Sequence, residues 1–547
     1  MGPRIVIVGG VAGGMSAATR ARRLNEHASI TVLEKGGYIS FANCGLPYFI
    51  GGKIVEEDSL FLTTPQRVRE RFRIDARVHH EVTHIDRKAK RVQGIDHTNG
   101  QPFELIYDKL ILAPGASPIL PDIAGTQAAN AFVLRSVEDA QQLMSYLSRE
   151  RPSRAVVVGA GFIGLEMVEA LYQRGLKVQV VDKAPHALPA LDPEMSGWIE
   201  SELSRHGVEQ RFGVGLSALL ETDDRITQVL LESGETLETD LVLLSMGVRP
   251  SVRLAELAGI AIGAAGGIQV DKALRTSDPD VYAVGDAAQV IQGVTHYVTR
   301  IPLAGAANRH GRAAGEHAAT GQSAPAATVF GTAIVRVFGL DVGITGLGRR
   351  AAQGAGFDVD TAIVHPNDHA SYYPGAHQMH LELIYDRQTG KVLGAQAVGP
   401  AGVDKRIDVI ATSLHFGATL EDLAALDLCY APQFSGAKDP VHYAAYVAQN
   451  QRRDLTPGAD VPEPGAVILD VRSPAEVARG ALPGAVSIPL EQLRERLEEL
   501  DPDIPTVVYC EVGIRAHAAV RILRQHGFVR VENLKGGYRQ AYSRLAS

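Results

Sequence analysis

Short apolar, largely β-branched runs recur along the chain, each ended by glycine and followed by a stretch of helical periodicity. Arg4–Val8 is the first. Glycines follow it, then a helical stretch over Ser16–Leu24 and a second strand, Ile30–Leu33, closed by Glu34. The plan returns at Arg154–Val158, with glycines over Gly159–Gly164, a helix reaching Gln173, and a strand Val178–Val181 ending at Asp182. Strand, tight turn, helix and strand in the same order twice predict a duplicated α/β unit with parallel sheets. Further apolar strands close on glycine at Lys109–Gly115 and Leu241–Gly247. From about Val329 to Asn450 the pattern becomes mixed α+β. A polar stretch with Pro and Gly follows, Gln451–Gly465, and a small α/β pattern opens at Ala466–Asp470.

Composition narrows the classes. The 547 residues exceed what one small core needs. The 45% hydrophobic and 21% charged fractions are those of a globular protein. A net charge of −8 argues against a nucleic-acid footprint spread over the surface. Three cysteines, Cys44, Cys429 and Cys510, are too few for a disulfide scaffold and fit a reducing compartment. No apolar run long enough to span a membrane occurs, and Met1–Gly10 lacks signal-peptide character, so a cytoplasmic location is expected.

The glycines carry the first chemistry. Gly159-Ala-Gly161-Phe-Ile-Gly164 is a complete G-x-G-x-x-G between strand and helix. Its first glycine makes the turn, the second admits a pyrophosphate, and the third lets helix approach strand. Asp182 at the next strand end is placed to accept from an adenosine ribose and to repel a 2′-phosphate. NADH is therefore expected over NADPH, with Lys183 working against that preference. The first loop contains Gly9, Gly10, Gly13 and Gly14, with Val11 where the second motif glycine belongs; Glu34 restores a ribose acceptor. Val281–Asp286 is an apolar strand ending in Gly285-Asp286, where a carboxylate can meet the sugar-phosphate chain of FAD. Two nucleotide folds and this element imply FAD and a nicotinamide nucleotide together.

With Ser40-Phe-Ala-Asn-Cys44 added, the chain resembles the pyridine nucleotide-disulfide oxidoreductases over about residues 4–450. That segment matches the SFxxC motif of the coenzyme A-disulfide reductase branch, whose members use one cysteine beside the flavin. The branch includes persulfide and polysulfide reductases, and relatives that reduce O2 or peroxide. The resemblance implies that Cys44 rests as a mixed disulfide or sulfenic acid. It extends cofactor contact to Lys35, Ala113, Pro114, Gly115, Arg135, Glu166, Gly247, Pro302, Ala304 and Ala307. It points to Arg20, Arg23, Ser40, Asn43 and Lys438 for coenzyme A, with Arg71 and Arg73 as weaker candidates. Tyr372-Tyr-Pro-Gly375 and Tyr430–Ser435 resemble the family's tyrosine segments, which reach the thiol site from a dimer partner; Tyr373 and Tyr430 are favoured to assist the leaving thiolate, with Tyr372 an open alternative to Tyr373. A homodimer is implied.

The tail resembles a single rhodanese domain, through Asp470-Val-Arg472, Leu482–Pro489 and Cys510-Glu-Val-Gly-Ile-Arg515. Cys510 is then a persulfide carrier whose loop amides and helix N-terminus stabilise an anion, with Arg515 adding charge. His365, His369, His377 and His380 are read as structural, with no metal site, Cys429 as a packed thiol, and His79-His80 as structural.

The resulting architecture has two Rossmann-like FAD- and NAD-binding domains, an α+β dimerisation domain and a C-terminal α/β rhodanese domain. FAD binding occupies 1–150 and 271–328, NAD(P) binding 151–270, dimerisation 329–450, a linker 451–460 and the rhodanese domain 461–547. The expected activity is FAD-dependent, NADH- or NADPH-driven reduction of coenzyme A persulfide, polysulfide or coenzyme A disulfide, coupled to sulfur transfer. Alternatives are an NADH oxidase or peroxidase cycling through a sulfenic acid, and a redox-sensing sulfur-binding module.

Overall fold

The computed structural model describes residues 2–546. The chain divides into two compact units: one runs to Pro185 and resumes over Val208–Val329, and the other joins His186–Gly207 to the chain from Phe330 onward.

In the first unit, Arg4–Val8 is the centre of a parallel sheet. The strand Ser29–Leu33 and then Asp75–Arg77 lie on one side, and Lys109–Leu112 and then Val281–Ala283 on the other. A second parallel sheet repeats the plan around Arg154–Val158, flanked by Lys177–Asp182 and Leu241–Leu244. Their residues are buried on both faces, which is why the strands read as unbroken apolar runs. In each sheet the central strand runs into its glycine loop where the neighbours diverge to either side. That is where an open α/β sheet binds its ligand.

The helices Ala12–Leu24 and Ala304–Thr320 meet along a seam of small residues. A side chain at Gly311 would put its Cβ 2.2 Å from the Gly13 carbonyl, and one at Gly315 the same distance from that of Ala17. Glycine there is a requirement of close approach.

The second unit contains an antiparallel sheet in the order Ala333–Val337, Leu340–Gly346, Val392–Gly399, His380–Asp386 and Val359–Val364. It also contains a parallel sheet in which Thr506–Tyr509 lies between Val467–Asp470 and Val531–Leu534. The segment His186–Gly207, inside the stretch read from sequence as nucleotide-binding, groups with this unit for identifiable reasons. In its helix, Pro193–Arg205, the Trp198 ring stacks on His380 at 3.6 Å, and the preceding Asp192 carboxylate accepts from the Gln396 amide at 2.7 Å. Among the described residues, no helix is long and apolar enough to cross a membrane.

Candidate active sites

Both nucleotide loops have the backbone their glycines predict. Gly9 and Gly159 take positive φ, +100° and +109°, and a Cβ at Gly164 would collide with the Gly159 carbonyl. Gly161 differs. A Cβ there would meet nothing within 4 Å, so the loop leaves open the space a pyrophosphate would fill. The carboxylate after each second strand is fixed by backbone amides. Gly10 and Gly36 donate to Glu34 at 2.7 and 2.9 Å, and Ala160 and Ala184 donate to Asp182 at 2.6 and 2.8 Å.

Helix starts distinguish ligand-facing from self-sufficient elements. Ala12–Leu24, Phe162–Gln173 and Ala304–Thr320 begin without a side-chain cap and without an acidic residue in the first turn. By contrast, Val137–Glu150 carries a complete capping box from Ser136 and Asp139. Unsatisfied amides at a helix start attract an anion or an electron-rich ring. The donor set fits FAD at the first loop and at Ala304, and a nicotinamide nucleotide at the second loop.

Cys44 lies in a short turn, Asn43–Gly45, at the start of the helix Leu46–Ile50. Ser40 enters it in the left-handed region at φ 48°. Asn43 donates to the Arg135 carbonyl at 3.0 Å, and Arg135 is paired with Asp286 at 2.7 Å, which joins the cysteine turn to the Gly-Asp turn. Cys44 is exposed, yet enough protein surrounds it that burial, assisted by the Glu166 carboxylate, pushes the thiol up, while Arg135 opposes the shift. Glu166 is itself pushed up to about 7 by burial, and accepts from the Tyr48 hydroxyl at 3.1 Å. Tyr48 escaped the sequence reading because nothing about a tyrosine four residues after a cysteine signals a carboxylate partner on a distant helix.

The basic candidates separate by environment. Arg20 is ion-paired with Glu316 at 2.6 Å. Arg23 and Arg71 each lie 5.5 Å from the Phe72 ring. Arg73 ends its helix in the left-handed region at φ 48°. Lys438, in the second unit, is exposed.

The tyrosine segments meet each other. The Tyr372 and Tyr430 hydroxyls are 2.9 Å apart, whereas Tyr373 turns its ring edge-on to His369 at 5.8 Å. Tyr372 is thus the hydrogen-bond partner of Tyr430. A buried arginine absent from the sequence reading fastens both segments: Arg406 donates to the Asp368 carbonyl at 2.7 Å and to Asp439 at 3.0 Å, and Ser435 donates to Asp439 at 2.8 Å. Cys429 is exposed rather than packed, because the Tyr430 segment runs over the surface. His369 pairs with Asp368 at 2.8 Å, and His365 meets His380 at 2.7 Å.

Cys510 is buried at the end of its strand. The Gly513 amide donates to Cys510 Sγ at 3.2 Å, and Gly513, at φ 94°, turns the chain into the helix Ile514–Gln525. Arg515 forks onto Glu476 at 2.6 and 2.8 Å and also interacts with the Cys510 sulfur; the pairing holds Glu476 well below the carboxylate range. Arg472 is held by Asp470 at 2.8 Å and lies 3.9 Å from the Tyr538 ring.

Comparison with known proteins identifies the family. Residues 3–311 match the pyridine nucleotide-disulphide oxidoreductase family, 332–440 its dimerisation domain, and 459–543 the rhodanese-like domain. An NADH oxidase of Methanocaldococcus jannaschii is 33% identical over 81% of this chain and 98% of its own length. A coenzyme A disulfide reductase of Staphylococcus epidermidis is 32% identical over 82% of this chain and all of its own. Two solved structures extend through the C-terminal domain. Reduced CoADR-RHD of Bacillus anthracis superposes with a TM-score of 0.95 at 40% identity, covering 100% of this chain and 99% of that one. A NAD-dependent persulfide reductase from A. fulgidus gives 0.94 at 39% identity, covering 98% and 99%. The chain belongs to the pyridine nucleotide-disulphide oxidoreductases and carries a rhodanese-like domain behind its dimerisation domain.

Proposed function

We propose that this protein is an FAD-dependent, NADH-driven reductase of coenzyme A persulfide, polysulfide or coenzyme A disulfide, with a sulfur-transfer site in the same chain. The observation that carries the reading is the pair of cysteines in contrasting settings. Cys44 is exposed in a turn joined to the flavin-side Gly-Asp element, and Cys510 is buried under a loop amide.

In this reading the Cys44 thiolate attacks one sulfur of the substrate S–S bond. That bond breaks, and the second sulfur leaves as a thiolate from the disulfide, or as hydrosulfide or a shortened polysulfide from the persulfide or polysulfide. FAD and NADH, when bound, supply the electron pair that returns the Cys44 mixed disulfide to thiolate and free thiol. Asn43 and Arg135 hold the turn. Glu166, near neutrality in its titration, is suited to exchanging a proton beside the thiol. The chain acts as a homodimer, in which the Tyr372–Tyr430 pair of one protomer assists the leaving thiolate at Cys44 of its partner. Arg23, Arg71 and Lys438 take the coenzyme A nucleotide. Cys510 carries sulfane sulfur, its persulfide stabilised by the Gly513 amide and Arg515.

The test compares NADH consumption with coenzyme A disulfide, coenzyme A persulfide, polysulfide and O2. Cys44→Ser should abolish the three sulfur reactions, and Cys510→Ser should selectively slow polysulfide turnover. Turnover on O2 alone, unaffected by Cys510→Ser, would replace this reading by an NADH oxidase.

A further inference from the structure

The segment Lys535–Gln540 lies between two parts of the second unit and bonds to both. Toward the sulfur-carrying loop, the Tyr538 amide donates to the Cys510 carbonyl at 2.8 Å and the Arg539 amide to the Glu511 carbonyl at 3.1 Å. Gly537 is pressed so close that a Cβ would lie 2.5 Å from the Cys510 carbonyl. Toward the antiparallel sheet, Lys535 donates to Asp360 at 2.7 Å, the Gly536 carbonyl meets His365 Nε2 at 3.0 Å, and Gln540 donates to the Glu194 carbonyl at 2.7 Å.

Arg539 engages both sides with one guanidinium. Its Nη2 donates to the Glu511 carboxylate at 3.2 Å, and its Nη1 to the Gln378 amide oxygen. Gln378 in turn donates from Nε2 to the His365 carbonyl at 2.7 Å. His365 and Gln378 form the base of the loop that carries Tyr372: the Asp368 amide donates to the His377 carbonyl at 2.8 Å, and the Met379 amide to the Pro366 carbonyl at 2.9 Å. The fork of Arg539 therefore ends on the residue after Cys510 and on the foot of the tyrosine loop. A lysine, with one nitrogen, has no equivalent fork.

We propose that Arg539 and Gln378 are positioning residues for sulfur transfer at Cys510: the dimerisation domain, through Gln378, Arg539 and Glu511, holds the sulfur-carrying loop in its working conformation. This rests on the reading of Cys510 as the sulfur carrier. The consequence is specific. A substitution in the dimerisation domain, remote in sequence from Cys510 and making no contact with its sulfur, should slow the transfer step.

The reaction to follow is thiosulfate to cyanide in the full-length protein. Cys510 Sγ attacks the outer sulfur of thiosulfate, the S–S bond breaks and sulfite leaves with its electron pair. Cyanide then removes the sulfur as thiocyanate and restores the thiolate. No outside oxidant or reductant is required. Gln378→Leu and Arg539→Gln should each lower kcat roughly three- to tenfold, as loss of one or two hydrogen bonds from the positioned loop implies. KM for thiosulfate should stay within twofold. The double variant should be no slower than the slower single variant, because both break one chain of contacts. Arg539→Lys should recover less than half of the loss. Melting temperature and NADH-dependent reduction of coenzyme A disulfide, measured on Arg539→Gln, report whether the molecule remains folded; the latter should stay within twofold. Wild-type kcat in both single variants, or multiplicative losses in the double variant, would overturn the proposal. Cys510→Ser separates it from the underlying reading. If thiocyanate formation survives that change, the carrier assignment falls and the proposal with it. If it is lost while Gln378→Leu and Arg539→Gln retain wild-type kcat, only the positioning role falls.

Discussion

Gly161→Asp should raise the stability of the nucleotide-free protein while weakening its hold on NADH, and the opposed signs make it informative. Gly161 is the N-cap of Phe162–Gln173, with φ −76° and ψ −172°, a conformation open to any residue. Its Cβ position is empty to 4 Å, so an aspartate enters without collision. The helix has no side-chain cap and no acid in its first turn. A carboxylate at the cap bonds to free amides, worth a few tenths of a kcal/mol over glycine, and meets the positive helix end for about 0.3–1 kcal/mol. For the pyrophosphate the same charge is repulsive. Two unit charges about 4 Å apart at an effective dielectric near 20 interact by about 4 kcal/mol. Halving this for solvent leaves ~2 kcal/mol, roughly thirtyfold in affinity. The assay is KM for NADH at saturating coenzyme A disulfide, beside the melting temperature without nucleotide. KM should rise about thirtyfold with flavin content unchanged and the melting temperature no lower than wild type. Gly161→Asn, which caps without charge, should raise KM much less. An unchanged KM in Gly161→Asp would show that this loop does not cradle the pyrophosphate.

Two further outcomes follow from displaced titrations. Because the Glu166 carboxylate helps push the Cys44 thiol up, Glu166→Gln should lower it and speed alkylation of Cys44 by iodoacetamide between pH 7 and 9. The measurement belongs in a Cys429→Ser, Cys510→Ser background, and an unchanged pH profile would remove Glu166 from the thiol's surroundings. Glu382 is fully buried and pushed up to about 8 by that burial, so the folded state binds its proton more tightly than the unfolded chain does. The stability this confers is complete below the ordinary carboxyl value and is lost as pH rises toward 8. Glu382→Gln should therefore flatten the fall in melting temperature between pH 5 and 8; a fall as steep as in wild type would refute it.

The nucleotide sheets were legible because both faces of their strands are covered, which writes Arg4–Val8 and Arg154–Val158 as unbroken apolar runs, and because Gly9, Gly159 and Gly164 occupy positions that exclude a Cβ. Contacts across long sequence separations were not legible. Trp198 reads as one apolar residue of an amphipathic helix, and only the fold brings it to His380. Which of the two adjacent tyrosines hydrogen-bonds to Tyr430 is a matter of loop path rather than composition. Arg406 and Arg539 look like any surface arginine in the sequence; their partners come from loops and termini that periodicity does not place. Conversely, the exposure of Cys429 shows the limit of treating an apolar neighbourhood in sequence as burial.

The glycine seam between Ala12–Leu24 and Ala304–Thr320 sets an order of events during synthesis. The first helix leaves the ribosome early, but the surface it was shaped to cover arrives only when residue 320 has been made. At about 5–20 residues per second, that interval is on the order of tens of seconds. The second nucleotide-binding sheet has its central strands by Leu244 and can assemble first. The N-terminal domain is therefore completed late, and a nascent chain halted before residue 304 would carry a helix face of small residues, Gly13 and Ala17, with nothing to close it.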